Sequence, residues 1–149
     1  MSFPRRLVLD TNTVMALWLF RDPRLAALDA AIAAARFQPC CRPDAVEELR
    51  RVLAYTHFGI DADEQQRLIA GYSERVTLVD GLGDAADALP LPLCRDRDDQ
   101  KFLEISRAAQ AEFLLTRDKA LLRLARHRLV RERFSILTPE RFVSDGWCQ

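Results

Sequence analysis

Short apolar runs alternate with amphipathic stretches along the chain. Arg6–Asp10 (RLVLD) reads as a buried strand that ends on an acid. Thr11–Phe20 is strongly apolar and predicts a helix packed inside the fold. Asp22–Pro23 has the form of an N-cap followed by proline at the first helical position, and the Ala-rich helix it opens should reach about Ala35. Gln38–Cys41 is a short strand, and Pro43 starts a helix through Leu53. Asp61 and Glu64 have capping-box spacing for a helix to about Ser73, and Arg75–Val79 (RVTLV) reads as a strand. Asp80–Pro92, with Gly81, Gly83, Pro90 and Pro92, reads as a loop with room for a short helix. Asp98–Gln110 predicts a helix, Glu112–Thr116 a strand and Asp118–Ala125 a helix. Ser135–Leu137 is the last strand and Pro139–Ser144 a closing helical turn. This alternation predicts an α/β fold with a parallel sheet covered on both faces. In such sheets, ligand sites collect at the carboxyl ends of the strands.

Composition narrows the class. The chain has 149 residues, enough for one sizeable core, so a single domain over 1–149 is expected. Hydrophobic residues make up 49% and charged residues 30%, which excludes a disordered tail. Lys plus Arg equals Asp plus Glu at 22 each, so net charge does not announce a nucleic-acid binder. Cys40, Cys41, Cys94 and Cys148 form no CxxC pair and have no histidine at zinc-ligand spacing. They read as buried free thiols of a reducing compartment. Arg5 and Arg6 precede an apolar stretch, but Asp10 and Asn12 interrupt it. No signal peptide, no membrane span and a cytoplasmic location are therefore expected.

The strand rule gives the acids their meaning. Asp10 ends the first strand, Asp118 follows the EFLLT strand by two residues, and Asp96, Asp98 and Asp99 cluster at the start of a helix. In Pro43–Leu53 the apolar stripe is Ala45, Val46, Leu49, Val52 and Leu53. Glu48 lies roughly 100° from its centre and Glu47 roughly 160° away, so Glu48 borders the buried face. Asp99 stands three residues before Phe102 and four before Leu103, on their inward side, and Asp98 flanks Phe102 on the other. Asp96 would reach the site from the loop. Carboxylates forced together either protonate or hold a cation, and an all-oxygen set suits Mg²⁺ or Mn²⁺. The bland alternative is that each acid caps a helix: Asp98–Asp99 would favour the positive end of theirs, and Asp10 and Asp118 would cap those that follow.

These segments together resemble the PIN-domain family. VLDTN (Val8–Asn12) matches its opening motif, and EELRRVL (Glu47–Leu53) is similar to its Glu-containing third helix. CRDRDDQKFLE (Cys94–Glu104) is similar to the RDxDDxxFL motif of a subfamily described as toxin components of bacterial toxin–antitoxin systems. LLTRDKALL (Leu114–Leu122) and ILTPERF (Ile136–Phe142) match its later segments. The resemblance implies a three-layer α/β/α fold around a five-stranded parallel sheet. It implies a ribonuclease with Mg²⁺ or Mn²⁺ held by Asp10, Glu48, Asp118 and an acid of the Asp98–Asp99 pair, Asp99 being preferred. Thr11, Asn12 and Thr116 would support the site by hydrogen bonding, with Asp96 beside them. A cognate antitoxin and a homodimer are the partners it implies. Asp10→Asn or Asp99→Asn is expected to abolish activity while relieving repulsion in the metal-free fold.

Substrate contacts are sought in the most basic stretch, Arg117–Arg133. Arg117, Lys119, Arg123 and Arg126, with Arg97, are the candidates to track an RNA backbone. A solvated helix face is the other reading of the same residues. His127 reads as a surface histidine and His57 as packing, and Trp18 and Phe20 as core or dimer contacts. A haloacid-dehalogenase-type phosphatase would need a second Asp where this chain has Asn12. A non-catalytic binding module with the same fold is the alternative from another class.

Overall fold

The computed structural model describes residues 4–55, 58–79 and 90–149. His57 and most of the Asp80–Pro92 loop, including its potential short helix, lie outside the described residues. Five parallel strands form one sheet in the order β3-β2-β1-β4-β5. They are β1 (Arg5–Leu9), β2 (Phe37–Cys41), β3 (Thr77–Leu78), β4 (Phe113–Leu115) and β5 (Ser135–Leu137). Leu7, Val8 and Leu9 are buried, as are Leu114 and Leu115, so the two central strands carry apolar side chains on both faces. Register is fixed by Leu7 opposite Phe113 and Pro39, and by Leu9 opposite Leu115.

Helices cover the sheet. They are α1 (Thr11–Trp18), α2 (Ala26–Ala33), α3 (Pro43–Leu53), α4 (Ala62–Arg75), α5 (Gln100–Ala108), α6 (Lys119–Leu122), α7 (Arg128–Arg131) and α8 (Pro139–Ser144). The chain moves outward from β1 through β2 to β3, then crosses back to β4 on the other side of β1. Right-handed crossovers therefore put α5 on the opposite face from the helices between β1 and β3, which gives three layers. The reversal between β1 and β4 is a topological switch point, where the strand ends leave a crevice.

Several elements differ from the sequence expectation, each for a local reason. Pro23 opens a 3₁₀ turn (Pro23–Leu25) rather than an α-helix; Leu25 N–H closes back on the Asp22 carbonyl at 3.0 Å, and α2 starts at Ala26. The strand expected at Arg75–Val79 pairs only at Thr77–Leu78, and α4 continues to Arg75. Its neighbour β2 carries Pro39, which offers no N–H, and the Gln38 amide donates instead to the Arg75 carbonyl at 2.8 Å. The helix expected at Asp118–Ala125 is the short α6, and α7 was not anticipated. His127 caps α7 by accepting from Leu129 N–H through Nδ1 at 3.1 Å, which a reading as a plain surface histidine misses. Ala35 and Gln110 end helices with φ of 60° and 51°, where glycine would have been the readable signal. The four cysteines are buried free thiols. No helix among the described residues is long and apolar enough to cross a membrane.

Candidate metal centre

The switch point is built from strand ends. β1 delivers Asp10 as the N-cap of α1, where Oδ1 accepts from Thr13 N–H at 2.9 Å and from Thr13 Oγ1 at 2.6 Å. Oδ2 accepts from Thr116 Oγ1 at 2.5 Å, just past β4. Thr116 Oγ1 in turn accepts from Asp118 N–H at 2.9 Å. One hydroxyl thus joins the ends of two neighbouring strands. Asp118 caps α6, with Oδ1 accepting from Ala120 and Leu121 N–H at 2.8 and 3.3 Å.

The remaining acids come from the 3₁₀ turn Arg97–Asp99 that precedes α5. Asp96 caps that turn by accepting from Asp98 N–H at 3.0 Å. Oxygens of Asp96, Asp99 and Asp118 all lie within 4.8 Å of one another, as a metal site requires. Asp98, which the α-helical reading put beside the site, is exposed and outside this group, and Asp96 takes its place. The helix expected from Asp98 starts only at Gln100; Asp96 lies in extended backbone as the N-cap of the preceding 3₁₀ turn and comes to the side of Asp99, whereas Asp98 does not.

Asp99 is the least satisfied of the acids. Its Oδ2 is buried and has no hydrogen-bond partner. Burial, followed by the charges of Asp118, Asp96 and Asp10, pushes its carboxyl up to about 7. Burial also raises Asp10 above the usual carboxylate range, although the hydrogen bonds from Thr116 and Thr13 pull it back. A divalent cation would offset this repulsion and give Asp99 Oδ2 the partner it lacks, so the residues fit a hard metal ion.

Glu48 is partly buried on α3, with Glu47 exposed beside it, as the helical stripe predicts. Its carboxylate is not in the close group; it pairs with Lys101 Nζ at 2.5 Å. Lys101 also donates to the Asp98 carbonyl. Sequence reasoning passed over Lys101, whose only signal is its place one turn into α5 beside Glu48's helix. It also missed Thr13, although an acid cap with threonine three residues later was visible. Thr11 Oγ1 is buried without a partner, and Asn12 is exposed.

Among the basic candidates, Arg117 is engaged by Asp22 at 2.9 Å and by Glu140. Arg97, Lys119, Arg123 and Arg126 are at least partly exposed.

The comparisons agree with this geometry. The family model for the PIN domain matches residues 6–120, from the first strand to the start of α6. The chain belongs to the PIN-domain family. No curated protein and no solved structure matches it significantly.

Proposed function

We propose that this chain is a metal-dependent endoribonuclease that hydrolyses RNA phosphodiester bonds, and that it is the toxin of a toxin–antitoxin pair. The observation that carries the nuclease reading is Asp99: a carboxyl oxygen buried without a donor, in reach of Asp96 and Asp118. Asp96, Asp99 and Asp118 would hold Mg²⁺ or Mn²⁺, with Asp10 behind them and Glu48 beside them. When bound, such an ion makes water a better nucleophile and offsets charge on a phosphoryl oxygen.

The chain's own residues do the rest. The N-cap bonds of Asp96 and Asp118 each hold one carboxylate oxygen and so restrain both side chains at the centre. Lys101 pairs with Glu48 and holds its carboxylate on the α3 side of the site. Thr116 fixes Asp10 and the Asp118 backbone to one hydroxyl and holds the strand ends in register. Lys119, Arg123, Arg126 and Arg97 are available to the phosphates that flank the scissile bond, whereas Arg117 serves mainly as a strut.

The toxin role rests on the Cys94–Glu104 motif and implies an antitoxin that covers the acid site; a homodimer is proposed on the same ground. Two measurements test the reading. Mn²⁺ should raise Tm in the wild type and not in Asp99→Asn, and the wild type should cleave single-stranded RNA only with Mg²⁺ or Mn²⁺ present. A Tm response without cleavage of any RNA would favour a non-catalytic binding module. The toxin role requires that expression arrest growth, and that an adjacent small partner gene relieve the arrest.

A further inference from the structure

We infer that an arginine-lined cavity beside the acid centre docks the phosphates of the RNA strand on one side of the scissile bond; this rests on the nuclease reading above. The cavity has a volume of about 670 Å³ and lies between the end of α1, the Pro23–Leu25 turn and α4. That is the size of a ligand pocket. Leu17, Leu25 and Leu68 give it an apolar floor, and Arg21, Arg67 and Arg75 stand around it.

The lining sets Arg21, Arg67 and Arg75 against Asp22, Asp29 and Glu64. No ion pair among the described residues involves Arg21, Arg67 or Arg75. Of the lining acids, Asp22 is the one offset by cations from outside the cavity. Asp29 accepts from Trp18 Nε1 at 2.9 Å, and Asp22 is held by Arg24 at 2.8 Å and Arg117 at 2.9 Å. Glu64 is the remaining lining acid. Three guanidinium groups thus face two carboxylates, Asp29 and Glu64, that have no ion pair among the described residues, an excess of one positive charge, and guanidinium forks match phosphate oxygens.

Two backbone details keep the arginines in place. Gly71 sits inside α4, where alanine would ordinarily be better by about 1 kcal/mol. A Cβ there would stand 2.9 Å from Arg75 Nη1. The gap lets Arg75 fold across its own helix and lie over the Trp18 ring, 5.0 Å from the centroid. Arg21, which lines the cavity, has φ of 50°, a left-handed conformation that non-glycine residues rarely adopt. One contact links the cavity to the acid centre. Asp22, in its wall, holds Arg117, whose neighbour in the chain is Asp118.

The test is anisotropy of a labelled single-stranded RNA in EDTA, over a series of salt concentrations, with wild type, R67Q/R75Q and G71A. The double variant should bind roughly ten-fold more weakly at low salt, with the slope of log K against log salt reduced by about 0.7 for each phosphate that is no longer neutralised. G71A keeps every charge but displaces Arg75, and should show a smaller weakening of the same kind. The Mn²⁺-induced rise in Tm reports that the acid centre is intact in each variant. Unchanged affinity and slope in R67Q/R75Q, in a protein that still cleaves RNA, overturns this inference and leaves the nuclease reading standing. A wild type that neither responds to Mn²⁺ nor cleaves RNA overturns the reading beneath it. If R67Q/R75Q keeps its RNA affinity but no longer binds a poly-glutamate probe, the cavity receives an acidic protein segment and the inference is wrong.

Discussion

The ends of β1 and β4 and the turn at Arg97–Asp99 both present aspartates to one crevice, yet they treat them in opposite ways. At the strand ends Asp10 is buried and its two oxygens accept three hydrogen bonds. In the turn Asp99 is only half-buried, and its Oδ2 accepts none. Burial alone therefore does not mark an acid as a ligand; the supply of donors does. The Asp10 oxygens are taken up by hydrogen bonds that tie the crevice together, whereas Asp99 Oδ2 is an oxygen that a cation could take up.

The largest expected effect separates the two by activity. Asp99→Asn and Asp118→Asn should each lower RNA cleavage in Mg²⁺ or Mn²⁺ by at least about 10²-fold, because each removes a charge from the centre. Their metal-free Tm near neutral pH should hold or rise. Cleavage at the wild-type rate in Asp99→Asn would end the nuclease assignment.

Next in size is the cost of disturbing the strand ends. Asp10→Ala leaves Thr13 N–H and two hydroxyls without their acceptor, and should destabilise the fold by about 2–4 kcal/mol in urea unfolding. Asp10→Asn, expected from sequence to relieve repulsion, should instead also destabilise, since its amide N–H₂ would face donors. A more stable Asp10→Asn protein would show that repulsion dominates over hydrogen bonding there, and would remove the contrast between the two acids.

A third test uses pH. The Asp99 carboxyl is raised to about 7 in the fold against an ordinary value of 3.8. The folded state therefore binds the extra proton more tightly, and its stabilising contribution is complete below about pH 4 and lost as pH rises through 7. Asp10 is raised too and acts in the same direction. Metal-free protein should lose about 1–2 kcal/mol across this window, a figure reduced for solvent screening of a half-exposed group. The gap in stability between wild type and Asp99→Asn, from denaturant melts at pH 4, 5.5 and 7, should shift in favour of the variant as pH rises. A gap that stays constant would contradict the raised Asp99. Saturating Mn²⁺ should flatten the wild-type loss at neutral pH.

The smallest effect concerns Lys101. Lys101→Met leaves the partly buried Glu48 without its cation, and should cost about 1 kcal/mol in metal-free protein. Its Mn²⁺ affinity by calorimetry should rise, because one positive charge near the acids is gone. A fall in affinity would mean that Lys101 mainly positions the acids.

How much of this was legible in the sequence follows the range of the forces involved. Strand β1, helix α3 and the inward lean of Glu48 were readable, because apolar periodicity records which face is buried. That Asp10, Asp22, Asp61 and Asp118 cap helices was readable from position. The exchange of Asp98 for Asp96 was not, because it turns on where the helix begins: α5 opens at Gln100, behind a turn that Asp96 caps, and helix starts are poorly recorded in local sequence. The Lys101–Glu48 pair was hidden for another reason: its partners sit on two different helices, far apart in the chain. The Arg117 strut to Asp22 and Glu140 is likewise tertiary, so a basic run that looked free for RNA has one member already engaged.

The caps on Asp96 and Asp118 carry a consequence of their own. Each of these side chains grips its own turn with one oxygen, so neither rotamer nor reach is adjustable when an ion arrives. The centre therefore measures length as strictly as charge. Glutamate at either position would keep the negative charge yet lose the grip and overshoot by a methylene, so a nominally conservative exchange should behave like a deletion of the ligand.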